Sequence, residues 1–408
     1  MNILLINHYA GSPRYGMEYR PYYLAKEWVR LGHKVSIVCA DFSHLRRENP
    51  SIPKSLTRET IDNIEYIWMK TPHYHGNGIS RVINMFSFVA QLFTFGKWIS
   101  DFVKPDLVIA SSTYPLDIYP AKRIAAMTGA KLIFEVHDLW PLTPIELGGM
   151  SPRHPFIMLL QHAENWAYKK ADKVVSLLPK AQEHMVEHGM SHDKFAYVPN
   201  GIDTNEWAGD GGEIRLHVLD RISELKKNGN FIVGYTGTHG LSDAMDSLLY
   251  AAEMLAGKKI SFVLVGDGTG KENLIQLKQK LKLDSVHFFD PVPKNAIPSL
   301  LKAMDAVFIG SQKVAMYRFG VSPNKLMDYM MAGKPVIQAI EAGNDLVKEN
   351  GCGISISPGD VHALANAIVT LKTETPDVLK IMGAKGRDYI SQHHTYHRLA
   401  QKFLDVLK

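Results

Sequence analysis

Short apolar runs that alternate with helix-length segments constrain the fold of this chain most strongly. The run Asn2–Asn7 is continuous and apolar, as expected for a parallel strand buried on both faces. A helical pattern and further strands follow it, and the same alternation begins again at Phe231–Thr236. Repeated units of this kind favour mainly parallel sheets with helices on both faces. We therefore expect an α/β fold built on doubly wound parallel sheets.

The length of 408 residues exceeds what one hydrophobic core supports, so more than one domain is expected. The polar, glycine-rich stretch Asn200–Asn230 lies between the two sets of strands and is predicted to hold the hinge. We predict a first domain over residues 1–204 and a second over residues 205–386. Residues 387–408 are predicted to form a C-terminal helix that packs back on the first domain.

The charge balance excludes some classes of partner. The formal net charge is +5, from 46 Lys and Arg against 41 Asp and Glu, which suits a phosphate substrate or an anionic membrane surface. No basic run of the kind found in nucleic-acid binders is present. Cys39 and Cys352 alone cannot build a disulfide framework, so a reducing cytosol is expected. We expect no signal peptide, and no transmembrane segment, because the charge-free apolar run Val82–Gly96 is shorter than the roughly 20 residues that span a bilayer.

The stretch Ser322–Ile337 carries the strongest local signal. Asn324–Ala332 is predicted to be a short helix that ends at Gly333. The free N–H groups at its start would face an anion, and Lys325 would add a full charge. Asp328, one turn further on, can accept hydrogen bonds from a sugar diol. This combination predicts a nucleoside-diphosphate site, whereas the simpler interpretation is an ordinary capped helix between two strands.

Ligands of open parallel sheets bind beyond the carboxyl ends of the strands. The glycines Gly11 and Gly16 follow the first strand, and His137-Asp138 follows another strand of the first half. Gly237-Thr238 and Gly266-Asp267-Gly268 follow strands of the second half. The glycines are also common in plain turns, and the loop histidines His8 and His239 are also compatible with a solvated position. A cleft between two sheets whose loops face each other would bring such residues together.

Metal binding and other cofactors are not expected. No Asp-x-Asp follows a predicted strand, and no predicted helix carries two histidines at ligand spacing. The sequence also lacks a Gly-x-Ser-x-Gly elbow and a Walker lysine loop.

Six short motifs occur in a fixed order along the chain. They are Gly32-His33-Lys34-Val35, Glu135-Val136-His137-Asp138, Ala171-Asp172-Lys173-Val174-Val175-Ser176, Val198-Pro199-Asn200-Gly201-Ile202-Asp203, Val265-Gly266-Asp267-Gly268 and Ser322 through Ile337. Together they resemble the GT4 family of retaining glycosyltransferases, which have the GT-B fold of two Rossmann-like domains facing across a cleft. The resemblance runs from residue 1 to about residue 390. The segment Ser-Pro-Asn-Lys-Leu-x-Asp-Tyr-Met looks like the WbuB-type branch of bacterial O-antigen and exopolysaccharide assembly.

The resemblance implies that the second domain binds most of the donor and the first domain most of the acceptor. Asp328 would hold the ribose hydroxyls, Lys325 and its neighbours would lie beside the donor phosphates, and His137 would lie near the reacting sugar. We assign catalytic roles to His137, Asp138 and Lys325, and acceptor binding to His8, Glu18 and Trp140. Donor binding is assigned to Gly11, Arg14, Gly16, Gly237, Thr238, Gly266, Arg318, Ser322, Pro323, Asn324, Lys325 and Asp328.

Two departures from the family pattern affect the donor site. Gly320 stands where the first acid of the Glu-x7-Glu motif is usual, and the segment from Gly237 to Met245 holds no basic residue. The charge that stabilises the leaving diphosphate is therefore predicted to come from Lys325 first, then Arg318, then Arg14.

The resemblance implies a retaining, metal-independent transfer from a UDP-sugar, with an N-acetylated amino sugar such as N-acetyl-fucosamine as the donor. The expected acceptor is an undecaprenyl-diphosphate-linked glycan in bacterial surface polysaccharide synthesis. Apolar helical stretches around Val82–Gly96 and Arg153–Leu160 are compatible with peripheral contact at the inner face of the cytoplasmic membrane, although such helices more often only cover a sheet. A UDP-sugar 2-epimerase of the same fold and a non-catalytic nucleotide-sugar-binding protein are the alternatives. A nicotinamide dehydrogenase is disfavoured, because Gly-x-Gly-x-x-Gly is absent after both leading strands.

Overall fold

The computed structural model describes residues 1–76, 78–208 and 217–408, and these fall into two compact units. Unit 1 comprises Met1–Pro199 and Tyr396–Lys408, and unit 2 comprises Asn200–Thr395. The division after Pro199 precedes the predicted end at residue 204. The returning segment begins at Tyr396 rather than at residue 387, because the preceding helix runs to His393 and buries Ile390 in the core of unit 2.

Unit 1 alternates strands and helices as the apolar pattern predicts. Its C-terminal helix Tyr396–Asp405 is strongly amphipathic and packs its apolar face on helix α1 (Arg20–Arg30). There Tyr23 stacks on Tyr396, and Trp28 packs edge-on against Phe403. The elements of unit 1 are β1 (Asn2–Ile6), α1 (Arg20–Arg30), β2 (Lys34–Ala40), β3 (Thr57–Ile61), β4 (Ile64–Met69), α2 (Ile79–Val103), β5 (Leu107–Ala110), α3 (Ile118–Thr128), β6 (Lys131–Val136), α4 (Leu142–Glu146), α5 (Pro155–Lys170), β7 (Lys173–Ser176), α6 (Gln182–Glu187), β8 (Phe195–Tyr197) and, numbered last in the chain, α16 (Tyr396–Asp405).

The sheet of unit 1 has eight strands in the order β3-β4-β2-β1-β5-β6-β7-β8. Seven of them are parallel, and β3 pairs antiparallel with β4 at one edge. The prediction of a parallel sheet is confirmed, but β3 was not predicted. Its residues Thr57–Ile61 are mostly polar, with Ile61 as the one apolar side chain, and none of them is fully buried, so they lack the apolar run that marks a buried strand.

Unit 2 repeats the same alternation around a second sheet. Its elements are α7 (Asn205–Ala208), α8 (His217–Lys227), β9 (Phe231–Thr236), α9 (Asp246–Met254), β10 (Ile260–Val265), α10 (Lys271–Lys280), β11 (Val286–Phe289), α11 (Ile297–Ala303), β12 (Ala306–Gly310), α12 (Asn324–Met331), β13 (Val336–Ala339), α13 (Leu346–Glu349), β14 (Gly353–Ser355), α14 (Val361–Thr373) and α15 (Pro376–His393).

The six strands of unit 2 are all parallel and lie in the order β11-β10-β9-β12-β13-β14. This order reverses direction beside β9, which is the point where doubly wound sheets bind ligands. Together the two sheets give the predicted pair of Rossmann-like domains.

The two units divide at the start of the stretch Asn200–Asn230, where the hinge is predicted, and the last part of that stretch is helical. Helix α8 belongs to unit 2 and buries Val218, Ile222 and Leu225 in its core, because its apolar residues recur at helical spacing. Residues 209–216 of that stretch lie outside the described residues.

Helix α2 is longer than the apolar run suggested. It covers 25 residues and, among the described residues, is the one helix long and apolar enough by length and composition to cross a membrane. One face is buried within unit 1 through Met85, Phe88 and Leu92, while Ile79 and Ile83 are exposed. Core helices of globular domains meet the same criterion, so the helix carries no conclusion about a membrane span.

Candidate active site

The carboxyl edge of the unit 2 sheet is closed by two loops that pack backbone against backbone. Gly237 follows β9 and donates its N–H to Val265 O, and Gly266 follows β10. Gly266 has φ of +151°, and a Cβ atom there would lie 1.8 Å from Gly237 O. Gly237 has φ of +141°. Only glycines allow this close approach, which leaves Gly237 and Thr238 exposed at the edge.

Helix α12 places Lys325 over the end of β9. Its Nζ donates to Asp243 Oδ1 at 2.5 Å and to the hydroxyl of Tyr235 at 2.6 Å. A Cβ atom on Gly237 would lie 3.3 Å from the same Nζ, so the ammonium lies directly beside this loop. Burial lowers the pKa of Lys325, and the neighbouring Asp243 carboxylate opposes this change. The structure therefore brings Lys325 and Gly237 together, as the nucleotide-site interpretation requires.

Asp243 is a site residue that sequence reasoning missed. It lies in a short 3-10 turn after β9, and it holds the ammonium of Lys325 in place. Nothing in the sequence pattern links two residues this far apart, so only the fold reveals the pair. The predicted basic group is thus present but is already paired with an acid.

The start of α12 offers backbone donors. Pro323 is the N-cap residue, and no side chain caps the helix within the described part of the chain. Ser322 is tied to Asn200 instead: its Oγ accepts from Asn200 N at 2.9 Å, and its carbonyl accepts from Asn200 Nδ2 at 2.6 Å. These bonds fix the chain just before α12, while Asn324 begins the helix with N–H groups directed out of its end.

Asp328 lies one turn into α12 and is half-buried. Burial raises its pKa to about 6, with Lys294 lowering it and Glu206 raising it. Lys294 and Glu206 themselves form an ion pair at 3.6 Å. The carboxyl group is therefore near the midpoint of its titration at weakly acidic pH, and the ionised form is available as an acceptor above that range.

Two further polar residues border these loops. His239 is buried, and neither of its ring nitrogens has a hydrogen-bond partner among the described residues. Burial lowers the pKa of His239 to about 4, so the ring is neutral. Lys271 donates to Gly266 O at 2.9 Å and pairs with Asp290. Sequence reasoning gave His239 only a weak signal and did not consider Lys271.

Arg318, the second choice for a phosphate-binding group, is exposed and lies 4.3 Å over the ring of Phe319. It lines a cavity of about 510 Å³ with Lys313 and Gly343, and Lys325 does not line that cavity.

In unit 1, His137 belongs to a buried polar network at the end of β6. Its Nε2 lies 3.2 Å from Glu135 Oε2 and 3.0 Å from Ser111 Oγ, and the hydroxyl of Ser111 donates to Glu135 at 2.6 Å. Burial lowers the pKa of His137, but the carboxylates of Glu135 and Glu18 outweigh it, and the net shift is upward. Glu135 therefore favours the protonated form of the His137 ring.

A second salt bridge anchors this network. Arg20 on α1 is fully buried and pairs with Glu135 at 2.9 Å, while also donating to Val198 O and Pro199 O. Burial alone would raise the pKa of Glu135, but Arg20 and His137 lower it to about 2. Arg20 was missed because a buried arginine in a helix gives no periodic signal. The Glu-Val-His motif, by contrast, pointed correctly to a polar strand end.

The glycine loop after β1 is tightly folded. A Cβ atom on Gly11 would lie 1.9 Å from Gly16 O, and Gly16 has φ of +103°. Arg14 at the tip is exposed and pairs with Glu59 on β3 at 2.5 Å. The guanidinium of Arg14, the third choice for stabilising the diphosphate charge, is therefore paired with an edge strand of unit 1.

His8 does not lie at the surface. It is fully buried, its Nδ1 is hydrogen-bonded to the hydroxyl of Tyr114, and its ring packs against Phe88. Burial and the nearby Arg46 hold its pKa well below the ordinary value. The prediction that His8 contacts an acceptor does not fit this position, because a strand end next to α2 is covered by that helix.

The other predicted acceptor residues lie near His137. Glu18 is half-buried, and its charge acts on the ring of His137. Asp138 is exposed, and Trp140 is half-buried at the wall of an apolar cavity of about 750 Å³. That cavity is also lined by Ile79, Val82, Met85, Leu147 and Phe156, with Arg81 and His154 among them.

Comparisons with known proteins define the class to which this site belongs. Residues 15–206 match the family model for Glycosyltransferase Family 4, and residues 230–374 match the model for glycosyl transferases group 1. The chain is a glycosyltransferase of the GT4 type with the GT-B fold. The fold is shared with sucrose-phosphate synthase from Thermosynechococcus elongatus, with a TM-score of 0.76 at 16% identity over 100% of this chain and 98% of that one.

Two relatives and one further solved structure are similar to this chain over most of its length. The chain is 22% identical over 360 residues to WcaI of Escherichia coli, named as a colanic acid biosynthesis glycosyl transferase, covering 84% of this chain and 85% of the relative. It is 23% identical to WbjE of Pseudomonas aeruginosa, named as a glycosyltransferase, covering 77% of this chain and 78% of the relative. HepE of Anabaena, solved in complex with UDP and glucose, has a TM-score of 0.68 at 19% identity and covers 100% of this chain and 99% of that one.

Proposed function

We propose that this glycosyltransferase moves a sugar from a UDP-sugar to a lipid-linked glycan in bacterial surface polysaccharide synthesis, with retention and without a metal in the transfer step. The observation that carries the donor assignment is the Lys325 ammonium, held beside Gly237 at the start of an uncapped helix. Backbone N–H groups and a lysine at such a helix end suit a diphosphate. The UDP bound in HepE supports uridine as the base.

Asp243 shapes how the donor would enter. In the structure its carboxylate Oδ1 is paired with Lys325 Nζ at 2.5 Å. A diphosphate would compete with this carboxylate for the ammonium. Its electrostatic attraction to the ammonium would be stronger, because a diphosphate carries more negative charge than a carboxylate. The unliganded pair therefore keeps the lysine positioned and half-buried without leaving an uncompensated charge.

The transfer itself needs charge stabilisation rather than a protein nucleophile. The bond between the anomeric carbon and the β-phosphate oxygen breaks, a bond to the acceptor hydroxyl oxygen forms, and UDP leaves. The hydroxyl proton passes to the departing phosphate. Negative charge that grows on this phosphate is stabilised by Lys325 and by the amides of α12, which are already oriented before the reaction.

We assign to the ionised Asp328 the two ribose hydroxyls, and to His137 a hydrogen bond to the transferred sugar. Asp328 lies one turn from Lys325 on α12, which is the separation between a diphosphate and its ribose. His137 suits its role because Glu135 raises its pKa and so favours a donor on the ring. The identity of the sugar is proposed only as an N-acetylated amino sugar of the N-acetyl-fucosamine type.

Support for a lipid-linked acceptor comes from unit 1. The apolar cavity beside Trp140 continues into exposed apolar side chains of α2, including Ile79 and Ile83. The basic Arg81 lies among these groups and suits an acceptor phosphate. The relationship to a protein named for colanic acid biosynthesis supports a substrate of bacterial surface polysaccharide synthesis. We propose an undecaprenyl-diphosphate-linked glycan as the acceptor, together with peripheral contact at the inner face of the cytoplasmic membrane.

A panel of nucleotides and nucleotide sugars tests the donor. A ligand that binds only the folded chain raises its melting temperature, so UDP and one group of UDP-sugars should do so while ADP- and GDP-sugars should not. Transfer is then measured with the stabilising UDP-sugar, EDTA and a bacterial lipid extract, with the anomeric configuration of the product read by NMR. No stabilisation by any uridine nucleotide would contradict the proposal, and an inverted product or dependence on added metal would contradict its mechanism.

A further inference from the structure

Helices α5 and α6 of unit 1 bring together three side chains that do not belong to the active site. They are Glu164 on α5, His184 on α6 and His188 directly after α6. One carboxylate oxygen and one nitrogen from each ring lie within 4.8 Å of one another. The expectation that no predicted helix carries two histidines at ligand spacing is wrong here, because His184 on α6 and His188 at its C-cap are four residues apart.

The two histidines share one face of α6. They are four residues apart, so they project from the same side of a helix, and their ring centroids lie 4.2 Å apart. A pair of imidazoles at this spacing is a common way for a single helix to bind a transition metal. Glu164 then supplies a ligand from the neighbouring helix.

The tautomer of His188 is set by the backbone. Its Nδ1 lies 2.8 Å from the carbonyl oxygen of His184. A carbonyl oxygen only accepts, so Nδ1 carries the proton and Nε2 keeps its lone pair. An imidazole whose N–H bonds a backbone carbonyl while the other nitrogen is left basic is the arrangement that metal-ligating histidines use.

Hydrogen bonds also fix the orientation of Glu164. It is 2% exposed, its Oε1 accepts from the Tyr168 hydroxyl at 2.8 Å, and its Oε2 accepts from Gln161 Nε2 at 2.8 Å. These partners lie on the same helix and fix the direction of the carboxyl group. Hydrogen bonds of this kind hold a metal-binding carboxylate in position.

We propose that Glu164, His184 and His188 bind one divalent transition metal ion of the Zn²⁺ class that links α5 to α6. Two imidazoles and one carboxylate are ligands that Zn²⁺ prefers, and water would complete a tetrahedral site. Ligand atoms around Zn²⁺ lie about 3.4 Å apart at bond lengths of about 2.1 Å. The three groups therefore lie within about 1.4 Å of the separations that a bound ion requires.

The proposed ion is separate from the sugar transfer. Its three ligands share no residue with the network of Ser111, Glu135 and His137. The site is therefore assigned a stabilising role, and the metal-free transfer proposed above is unaffected by it.

The test uses the full chain after dialysis against EDTA. Zn²⁺ titrated by calorimetry should bind at one equivalent, and Co²⁺ in its place should give the visible absorption of a tetrahedral nitrogen and oxygen site. The double variant His184→Ala, His188→Ala should lose both signals. His162→Ala is the matched control, because His162 also lies on α5 but contacts Tyr119 instead, and it should keep both signals.

Three outcomes overturn the proposal: no Zn²⁺ binding by the parent chain, one equivalent still bound by the double variant, or equal loss in the His162→Ala control. The melting temperature of each metal-free variant shows whether it folds. If the double variant does not fold, Glu164→Gln takes its place and should weaken Zn²⁺ binding by about tenfold or more. Unchanged binding in Glu164→Gln would then count against the site.

Discussion

At the scale of single residues, the donor site depends on how Lys325 is held. The sequence predicts a lysine at a helix start, and the structure places its ammonium 3.3 Å from where a Cβ of Gly237 would be. What the sequence could not show is Asp243, whose carboxylate orients the ammonium from a distant loop. Propensity and periodicity describe neighbours along the chain, so a pair of this kind becomes visible only in the fold.

Replacing Lys325 by Ala should lower kcat by about 10²-fold, because one preorganised donor to the leaving phosphate is lost. Lys334→Ala is the matched control, since Lys334 follows the opposite end of the same helix and should leave turnover near the parent value. UDP release from the stabilising UDP-sugar and acceptor is measured for both variants, with melting curves to confirm folding. Near-normal turnover by Lys325→Ala would refute its role.

Asp328→Asn should separate stability from binding. Burial raises the pKa of Asp328 to about 6, above its ordinary 3.8, so the folded chain favours the protonated carboxyl. The contribution of the Asp328 carboxyl group to the free energy of unfolding is fully present below about pH 4. It is lost as the pH rises toward 6 and beyond. The neutral amide avoids that loss, so the variant should be more stable than the parent at pH 8, by up to about 3 kcal/mol, and equal to it near pH 4.

The same variant should bind UDP about tenfold more weakly at pH 8, because hydrogen bonds from the ribose to a charged acceptor are replaced by bonds to a neutral one. Urea unfolding at the two pH values and calorimetry with UDP check the pair of effects. A variant that is stabilised but binds UDP as tightly as the parent would remove Asp328 from the donor site.

At the scale of elements, the sequence predicted the strands well and the loops less well. The apolar run Phe231–Thr236 has the bounds of β9, because both faces of a parallel strand must be buried. The predicted helix over Asn324–Ala332 ends one residue earlier, at Met331, and β3 was missed. Edge strands and helix ends are fixed by neighbours in space, which a linear pattern does not contain.

The glycine loops give a test at this scale. Gly266→Ala should weaken UDP binding strongly, since a Cβ atom 1.8 Å from Gly237 O must displace the loop beside Lys325. Gly257→Ala is the control: Gly257 also has a positive φ, +76°, but a Cβ atom there meets no atom within 4 Å. Both variants place alanine at a positive φ, but only Gly266→Ala also brings a Cβ atom into collision with the loop beside Lys325.

UDP affinity is measured by calorimetry at a temperature where both glycine variants are folded. The account predicts that Gly257→Ala binds as the parent does while Gly266→Ala does not. Equal affinity in the two variants would show that the loop after β10 does not form part of the donor site.

At the scale of the whole molecule, two Rossmann-like units were predictable because the apolar alternation occurs twice. The two units divide at the start of the stretch Asn200–Asn230, where the hinge is predicted, but α8 within that stretch packs its apolar face into unit 2. Within unit 1, the buried pair of Arg20 and Glu135 ties α1 to β6 and to the carbonyls before residue 200. Such a buried ion pair could not be predicted from the sequence, because charged residues are ordinarily expected at the surface.

Glu135→Gln should destabilise the protein by about 3 to 5 kcal/mol at pH 7, because it leaves Arg20 buried without a counter-charge. Glu135 has its pKa lowered to about 2 from an ordinary 4.5, so its contribution is present above about pH 4.5 and is lost as pH falls toward 2. The gap between parent and variant should therefore narrow on acidification.

Urea unfolding at pH 7 and pH 3 measures that gap. Glu341→Gln serves as the control, because its ion pair with Lys313 is exposed and should contribute less than about 1 kcal/mol. A gap of the same size for both variants, or one that does not change with pH, would contradict the assigned role of the buried pair.

A crystal structure of the chain soaked with UDP tests the central claim most directly. The account predicts a diphosphate at the start of α12, within hydrogen-bond distance of Lys325 Nζ and beside Gly237, with the ribose hydroxyls on Asp328. Nucleotide bound elsewhere in the molecule, or no nucleotide at saturating concentration, would contradict it.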